Sequence, residues 1–285
     1  MSEHEKSNHL ALEKVFASLW SDYIAFNPQA KRIYDCFLSR EQVQNANVRV
    51  LKNDHIALRT FNLNPIGLKS LSAIFQKLGY RECGEYFFTE KKLYARHLEH
   101  LDSRFPKIFI SELEVEKFSG ELQQMCREVA SAIVPSRAES PDLLWSGRSW
   151  RASHQRYLEL LKESEYAAWV YAFGFRSNHF TILVNALESF KDLPELNEFV
   201  KQSGFALNTS GGEIKGSRHD CLEQSSTLAE RARVTFEEGE FEIPACYYEF
   251  AIRHQMPDGK LYQGFVAASA DKIFESTNVK SKSEH

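Results

Sequence analysis

Apolar positions recur at two different periods along the chain, and the changes of period mark its parts. Over residues 9–46 the spacing is helical: Leu10, Leu12, Val15, Phe16, Leu19 and Trp20 recur on one side of a 3.6-residue turn, and a second short stretch runs around Ala30–Leu38. From residue 53 the period shortens. HIALRTF has strand character, a helix is predicted near Pro65–Lys77, and further strands around Glu82–Thr89, Leu93–Leu98 and Lys107–Leu113. Residues 114–176 return to helical spacing, punctuated by Pro135 and Pro141. Strand character resumes at HFTILV. A helix near Leu193–Gln202, a Gly211-Gly212 turn and the segments EIKGSRHDCLEQSS, RARVTF and ACYYEFAIRH complete the pattern.

Two of these segments echo each other. Residues 53–80 and 177–205 both begin with a polar pair and a histidine, His55 and His179, at the start of a strand-like run. Both pass through a turn into an amphipathic helix and close on Gly79-Tyr80 or Gly204-Phe205, with 24 residues from histidine to glycine in the first copy and 25 in the second. A repeat of this length predicts two copies of one supersecondary unit. No stretch rich enough in Gly, Ser or Pro separates independent domains. Residues 1–285 therefore read as a single domain, with modules at 50–113 and 177–275 and a helical insertion at 114–176.

Composition narrows the class without naming a function. Hydrophobic residues at 43% and charged residues at 26% describe a globular protein, and a net charge of −4 argues against nucleic acid as a partner. No apolar run reaches the roughly 20 residues that cross a bilayer. The five cysteines are scattered, with no CxxC pair, which predicts free and mostly buried thiols in a reducing cytoplasm. The polar tail, residues 276–285, is expected to fray. A homo-oligomer is compatible with all of this.

The candidate chemistry rests on a few positions. His4, His9 and His285 lie in the termini, His154 on a charged helix and His219 in a loop; His97 and His100 fall on opposite faces of a strand. Singly, His55 or His179 is explained by a hydrogen-bonded core imidazole; as equivalent members of a repeat, the pair suits metal ligands. Glu249 sits in a strand-like, apolar stretch where a carboxylate is costly unless paired or metal-bound. Alone, an ion pair with Arg253, four residues on, accounts for it. With His55 and His179 it completes two imidazoles and one carboxylate, the set that holds non-haem Fe(II). Arg59 shares a strand face with His55, about 13 Å away along the backbone. It can serve a substrate carboxylate or pair with a local acid. Gln224 can orient a substrate oxygen or end a network of strand hydrogen bonds.

With these residues placed, the paired pattern resembles the vicinal oxygen chelate superfamily. More closely, DHIALRTF (54–61), IKGS (214–217), LEQSST (222–227) and YYEFAIR (247–253) are similar to the 2-oxoadipate dioxygenase/decarboxylase family, or 2-hydroxyglutarate synthases, over about residues 10–275. The resemblance implies an α+β fold of paired βαβββ modules forming an incomplete barrel, decorated with N-terminal and inserted helices. It implies His55, His179 and Glu249 as metal ligands to Fe(II), and Arg59 at the substrate's distal carboxylate. Beside these, Arg59 and Gln224 are the candidate catalytic residues, and Gln224 and Arg253 are candidate substrate contacts. The implied reaction, part of lysine catabolism, takes a 2-oxo dicarboxylic acid such as 2-oxoadipate with O2 to a 2-hydroxyglutarate-like acid and CO2. Two alternatives stand beside it: a hydrolase or lyase with zinc or nickel on the same ligands, and a metal-free module that binds a small molecule.

Overall fold

The protein is described here by a computed structural model covering residues 3–267, with side chains from residue 8. The expected frayed tail and the last residues of the second module lie outside the described residues. Helices α1 (Glu3–Phe26) and α2 (Pro28–Gln44) precede the first module. That module comprises β1 (Asn53–Phe61), α3 (Leu68–Gln76), β2 (Tyr80–Phe88), β3 (Leu93–His100) and β4 (Lys107–Leu113). The insertion contributes α4 (Gly120–Ser131), α5 (Pro135–Ala138), α6 (His154–Glu163) and α7 (Glu165–Phe173). The second module follows with β5 (Ser177–Leu183), α8 (Leu193–Gln202), β6 (Lys215–Ser217), β7 (Leu222–Ser226), β8 (Arg231–Phe236), β9 (Gly239–Pro244) and β10 (Tyr247–Arg253).

Eight strands form one sheet in the order β2-β3-β4-β1-β5-β10-β7-β6, so each module supplies four adjacent strands. In each half the opening strand runs parallel to the closing one, β1 to β4 and β5 to β10. The opening strands β1 and β5 pair antiparallel at the centre. Equivalent strands paired antiparallel relate the halves by an approximate two-fold, as expected for the paired βαβββ modules of the vicinal oxygen chelate architecture.

The central strands are buried on both faces, which explains their nearly continuous apolar runs. α1 and α2 cover the outer face: Tyr23 packs on Phe180 with ring centroids 4.8 Å apart, and Phe37 packs on Phe250 at 5.4 Å. His55, Ala57 and Arg59 on β1, His179 and Thr181 on β5, and Tyr247 and Glu249 on β10 share the inner face by strand alternation.

Three expectations change. RARVTF leaves the main sheet as β8 and pairs with β9 in a separate two-stranded ribbon. Its alternation suits one covered face only: Val234 and Phe236 are buried, whereas Arg231 and Arg233 point to solvent. The N-terminal helices run longer than their clearest apolar stripes. All five cysteines are free, but only Cys126 and Cys246 are buried, and Cys83 is exposed.

The insertion is helical as expected, and it closes one end of the half-barrel. Ser164 caps α7 by accepting from Ala167 N at 3.1 Å, and this helix is apolar all round and wholly buried past its first residue. Tyr166 Oη donates to Ser111 O at 2.6 Å and accepts from Thr60 N at 3.0 Å; Trp169 Nε1 donates to Ala245 O at 2.6 Å. Among the described residues, no helix is long and apolar enough to cross a membrane.

Candidate metal centre

His55 and His179 are brought together by the antiparallel register of β1 and β5, in which His55 pairs with Thr181 and Ala57 with His179. β10 lies along the far side of β5 and sets Glu249 beside Thr181. In the resulting cluster, His55 Nε2 lies 3.3 Å from His179 Nε2 and 3.5 Å from Glu249 Oε1, and His179 Nε2 lies 3.5 Å from Glu249 Oε2. The three residues are only 2%, 5% and 1% exposed, in that order.

The outer nitrogens decide what this cluster can hold. Asp54 Oδ2 lies 2.8 Å from His55 Nδ1, and Asn178 Oδ1 lies 3.2 Å from His179 Nδ1. Each acceptor keeps the proton on Nδ1 and leaves a lone pair on the inward Nε2. Burial, followed by the nearby His55 and Arg59, pushes the His179 imidazole well below its usual range, so it is neutral at pH 7. Burial raises the Glu249 carboxyl, partly offset by His55 and by Gln224. Two lone pairs and a carboxylate converging at 3.3–3.5 Å fit neighbouring ligands of a cation with bonds of about 2.1 Å. The donor set therefore fits a divalent metal.

Gln224 is placed on this centre. Its Nε2 donates to Glu249 Oε1 at 2.5 Å, aligning the carboxylate, while Thr181 Oγ1 lies 3.2 Å from His55 Nε2. Arg253 is a correction. It does not form the ion pair with Glu249 that the sequence allowed; its guanidinium is engaged with other protein groups. Nε donates to Asp54 Oδ1 at 2.6 Å and Nη2 to Asp54 Oδ2 at 2.8 Å, while Nη1 donates to the carbonyls of Tyr262 and Gly264 at 3.0 and 2.8 Å. Residues four apart on a strand are about 13 Å apart at the backbone, whereas β1 offers a carboxylate within reach. Arg253 thus ties β1 to the segment after β10, and that segment carries Phe265 over His55, with ring centroids 4.8 Å apart.

Arg59 is 1% exposed, at the end of β1 closed by α7. Its guanidinium carbon lies 5.0 Å from the Tyr166 ring centroid and 5.3 Å from that of Trp169. Its Nη1 is 3.7 Å from Glu165 Oε1, so the local acid allowed by the sequence exists. A cleft of about 240 Å³, lined by Arg59, Lys91, Lys92, Glu165 and Tyr166 among others, opens on this side.

Sequence reasoning missed Asp54, Asn178, Thr181, Tyr247 and Phe265 as parts of the centre. For the first two the signal was present: both copies of the repeat open with a polar pair before the histidine, and its second member holds Nδ1. A second cluster, Cys83, His97 and Glu99, also places metal-binding groups together. Its groups are already engaged, since His97 bonds Tyr86 at 2.8 Å and Glu99 at 2.9 Å, and the Lys107 ammonium lies 3.1 Å from Glu99.

The family model for 2-oxoadipate dioxygenase/decarboxylase matches residues 15–144 and 140–263. A candidate hydrolase of Shewanella frigidimarina, known from a crystal structure, is 46% identical, with a TM-score of 0.84 over 90% of this chain and 98% of its own. A 2-oxoadipate dioxygenase/decarboxylase of Oryza sativa subsp. japonica is 34% identical over 93% of this chain and 78% of its own length. The Oryza sativa hydroxyglutarate synthase, solved in complex with 2-oxoadipate, is 31% identical, with a TM-score of 0.86 over 98% of this chain and 95% of its own. The chain belongs to the 2-oxoadipate dioxygenase/decarboxylase family.

Proposed function

We propose that this chain oxidatively decarboxylates a 2-oxo dicarboxylic acid of the 2-oxoadipate type with O2, giving a 2-hydroxyglutarate-like acid and CO2, with Fe(II) held by His55, His179 and Glu249. The observation that carries the reading is the convergence of two imidazoles and a carboxylate, all three buried, with Arg59 farther along the same inner face. When bound, the metal supplies redox chemistry and open positions for a chelating 2-oxo acid and for O2. The overall reaction balances without a second co-substrate. The bond to the first carboxylate breaks, the keto carbon becomes the new carboxylate, the adjacent carbon gains a hydroxyl, and both atoms of O2 enter the product.

The chain's own residues orient and enclose these parts. Asp54 and Asn178 fix the imidazole tautomers, and Gln224 aligns Glu249. Arg59 binds the distal carboxylate; its charge lies among aromatic rings and away from bulk water, where it counts for more. Glu165 is the carboxylate that the substrate's own would relieve at Arg59. Phe265 and its segment exclude water from the metal side. The free thiols support a cytoplasmic setting, and lysine breakdown is the pathway this substrate would serve.

The test is oxygen uptake by anaerobically purified, Fe(II)-loaded protein on adding 2-oxoadipate, with 2-hydroxyglutarate assayed in parallel. Coupled uptake and product are expected. Silence across a panel of 2-oxo acids would overturn the reading in favour of hydrolytic or lyase chemistry with zinc or nickel on the same ligands.

A further inference from the structure

Tyr247 carries a buried hydroxyl that none of the described residues uses. Its residue is 0% exposed, and its Oη has no hydrogen-bond partner among the described residues. A hydroxyl removed from water without a partner costs free energy, so such a group usually has a ligand or an ordered water to meet. Its surroundings say which ligand. Tyr247 pairs with His179 across β10 and β5, and His179 pairs with Ala57 across β5 and β1, so the three residues form one level of the inner face. One side of that level holds His55 and Glu249; the other holds Arg59. Ala57 contributes only a methyl group to this level.

The phenol ring stacks on the His179 imidazole, with centroids 4.7 Å apart and planes 26° apart. Tyrosine is the longer of two side chains that leave neighbouring strands on the same face. Its hydroxyl therefore extends farther from the sheet than the imidazole does, on the face that carries the metal donors. Of the charged groups that act on it, the Glu249 carboxylate is felt first, then the Arg59 guanidinium and Glu165. Glu249 is two residues along the same strand and on the same face.

We infer that the Tyr247 hydroxyl is a substrate-binding donor, hydrogen-bonded to the 2-oxo acid end of the bound substrate at the metal. Tyr247 and Arg59 then grip opposite ends of one extended acid. This rests on the function proposed above and adds a residue that the sequence did not suggest. A tyrosine donor here would fix the head group's rotation about the metal, so that the carbon to be hydroxylated is presented in one orientation.

The experiment is Tyr247→Phe, which removes one oxygen and keeps the ring that stacks on His179. Binding of two acids is measured by calorimetry on the anaerobic, Fe(II)-loaded protein: 2-oxoadipate, and 2-oxohexanoate, which has a methyl group where the distal carboxylate would be. The variant is expected to weaken both by a similar factor of about ten, the size of one lost hydrogen bond to a charged group. Metal content and thermal midpoint should stay at wild-type values. Arg59→Ala, run alongside, should weaken 2-oxoadipate alone. Unchanged affinity for both acids in Tyr247→Phe overturns the inference, and so does a loss confined to 2-oxoadipate, which would put the hydroxyl at Arg59's end. Failure of the wild type to bind either acid overturns the proposed function itself, a result that cannot be confused with the others.

Discussion

Asp54→Asn is the substitution whose consequences the structure specifies most fully. Both oxygens of Asp54 are in use: Oδ1 accepts from Arg253 Nε at 2.6 Å, and Oδ2 accepts from Arg253 Nη2 and His55 Nδ1, both at 2.8 Å. The Asp54 and Arg253 side chains are each 3% exposed, so solvent screening reduces the interaction little. Asparagine keeps the shape and removes the charge, leaving Arg253 buried without its counter-ion. Breaking a buried pair from one side costs about 3–5 kcal/mol, a large share of the roughly 5–15 kcal/mol that holds a domain together. For a chain of this size, that corresponds to a fall in melting temperature of roughly 6–20 °C. Urea unfolding at pH 7 measures the loss directly. The pH dependence adds a second signature. Burial alone would raise the Asp54 carboxyl, but the Arg253 guanidinium and the bond to His55 outweigh it and hold the group far below the usual carboxylate range. A folded-state pKa below the unfolded value of about 3.9 means that the stabilisation is complete above that value and is lost as the pH falls below it. The gap between wild type and variant should therefore narrow by about 1 kcal/mol between pH 7 and pH 3. His55 also loses the anionic partner of its outer nitrogen, so affinity for Fe(II) should fall about 10–100-fold. A stability loss under about 1 kcal/mol at pH 7, or a gap that does not change with pH, would refute the assignment of Asp54 as the counter-ion of Arg253.

The other predictions concern separate parts of the molecule. Arg59→Ala should retain iron while kcat/KM for 2-oxoadipate falls at least about thirtyfold, since a buried charge-assisted contact is worth on the order of 2–5 kcal/mol; parallel loss of iron and activity would reject its role at the distal carboxylate. Glu249→Gln should lower iron content, measured by metal analysis, with circular dichroism unchanged, because the side chain keeps its volume and loses its charge; full iron retention would remove Glu249 from the ligand set. Ser164→Ala, which deletes the cap of α7, should cost about 1 kcal/mol in urea unfolding, and no loss would mean that the helix start is held by packing alone.

The local parts of the fold were legible in the sequence. Helix α8 and strand β4 occupy the spans that periodicity predicts, and the helical character of the insertion is plain in its apolar spacing. The repeat also carried the central idea of the site: equivalent strands in paired modules bring equivalent residues together, and His55 and His179 lie 3.3 Å apart at their inner nitrogens. Glu249 stood out because a carboxylate in an apolar strand needs a partner. The residues around these three were not legible, although Asp54 and Asn178 sat in view beside the histidines.

Periodicity depends on neighbours within a few residues, so the sequence by itself determined which segments become helices or strands and which side chains share a face. It also determined that two imidazoles and one carboxylate would need an explanation. Partner choice depends on strand register and on how far long side chains reach across it, and those are properties of the assembled sheet. Only the tertiary structure sent Arg253 to Asp54, 199 residues away in sequence, and took RARVTF out of the main sheet into its own ribbon. It also laid α7 against Arg59, folded Phe265 over His55, and left the buried Tyr247 hydroxyl without a hydrogen-bond partner among the described residues. These pairings join residues far apart along the chain, where closing the loop between them costs entropy and no local pattern records the contact.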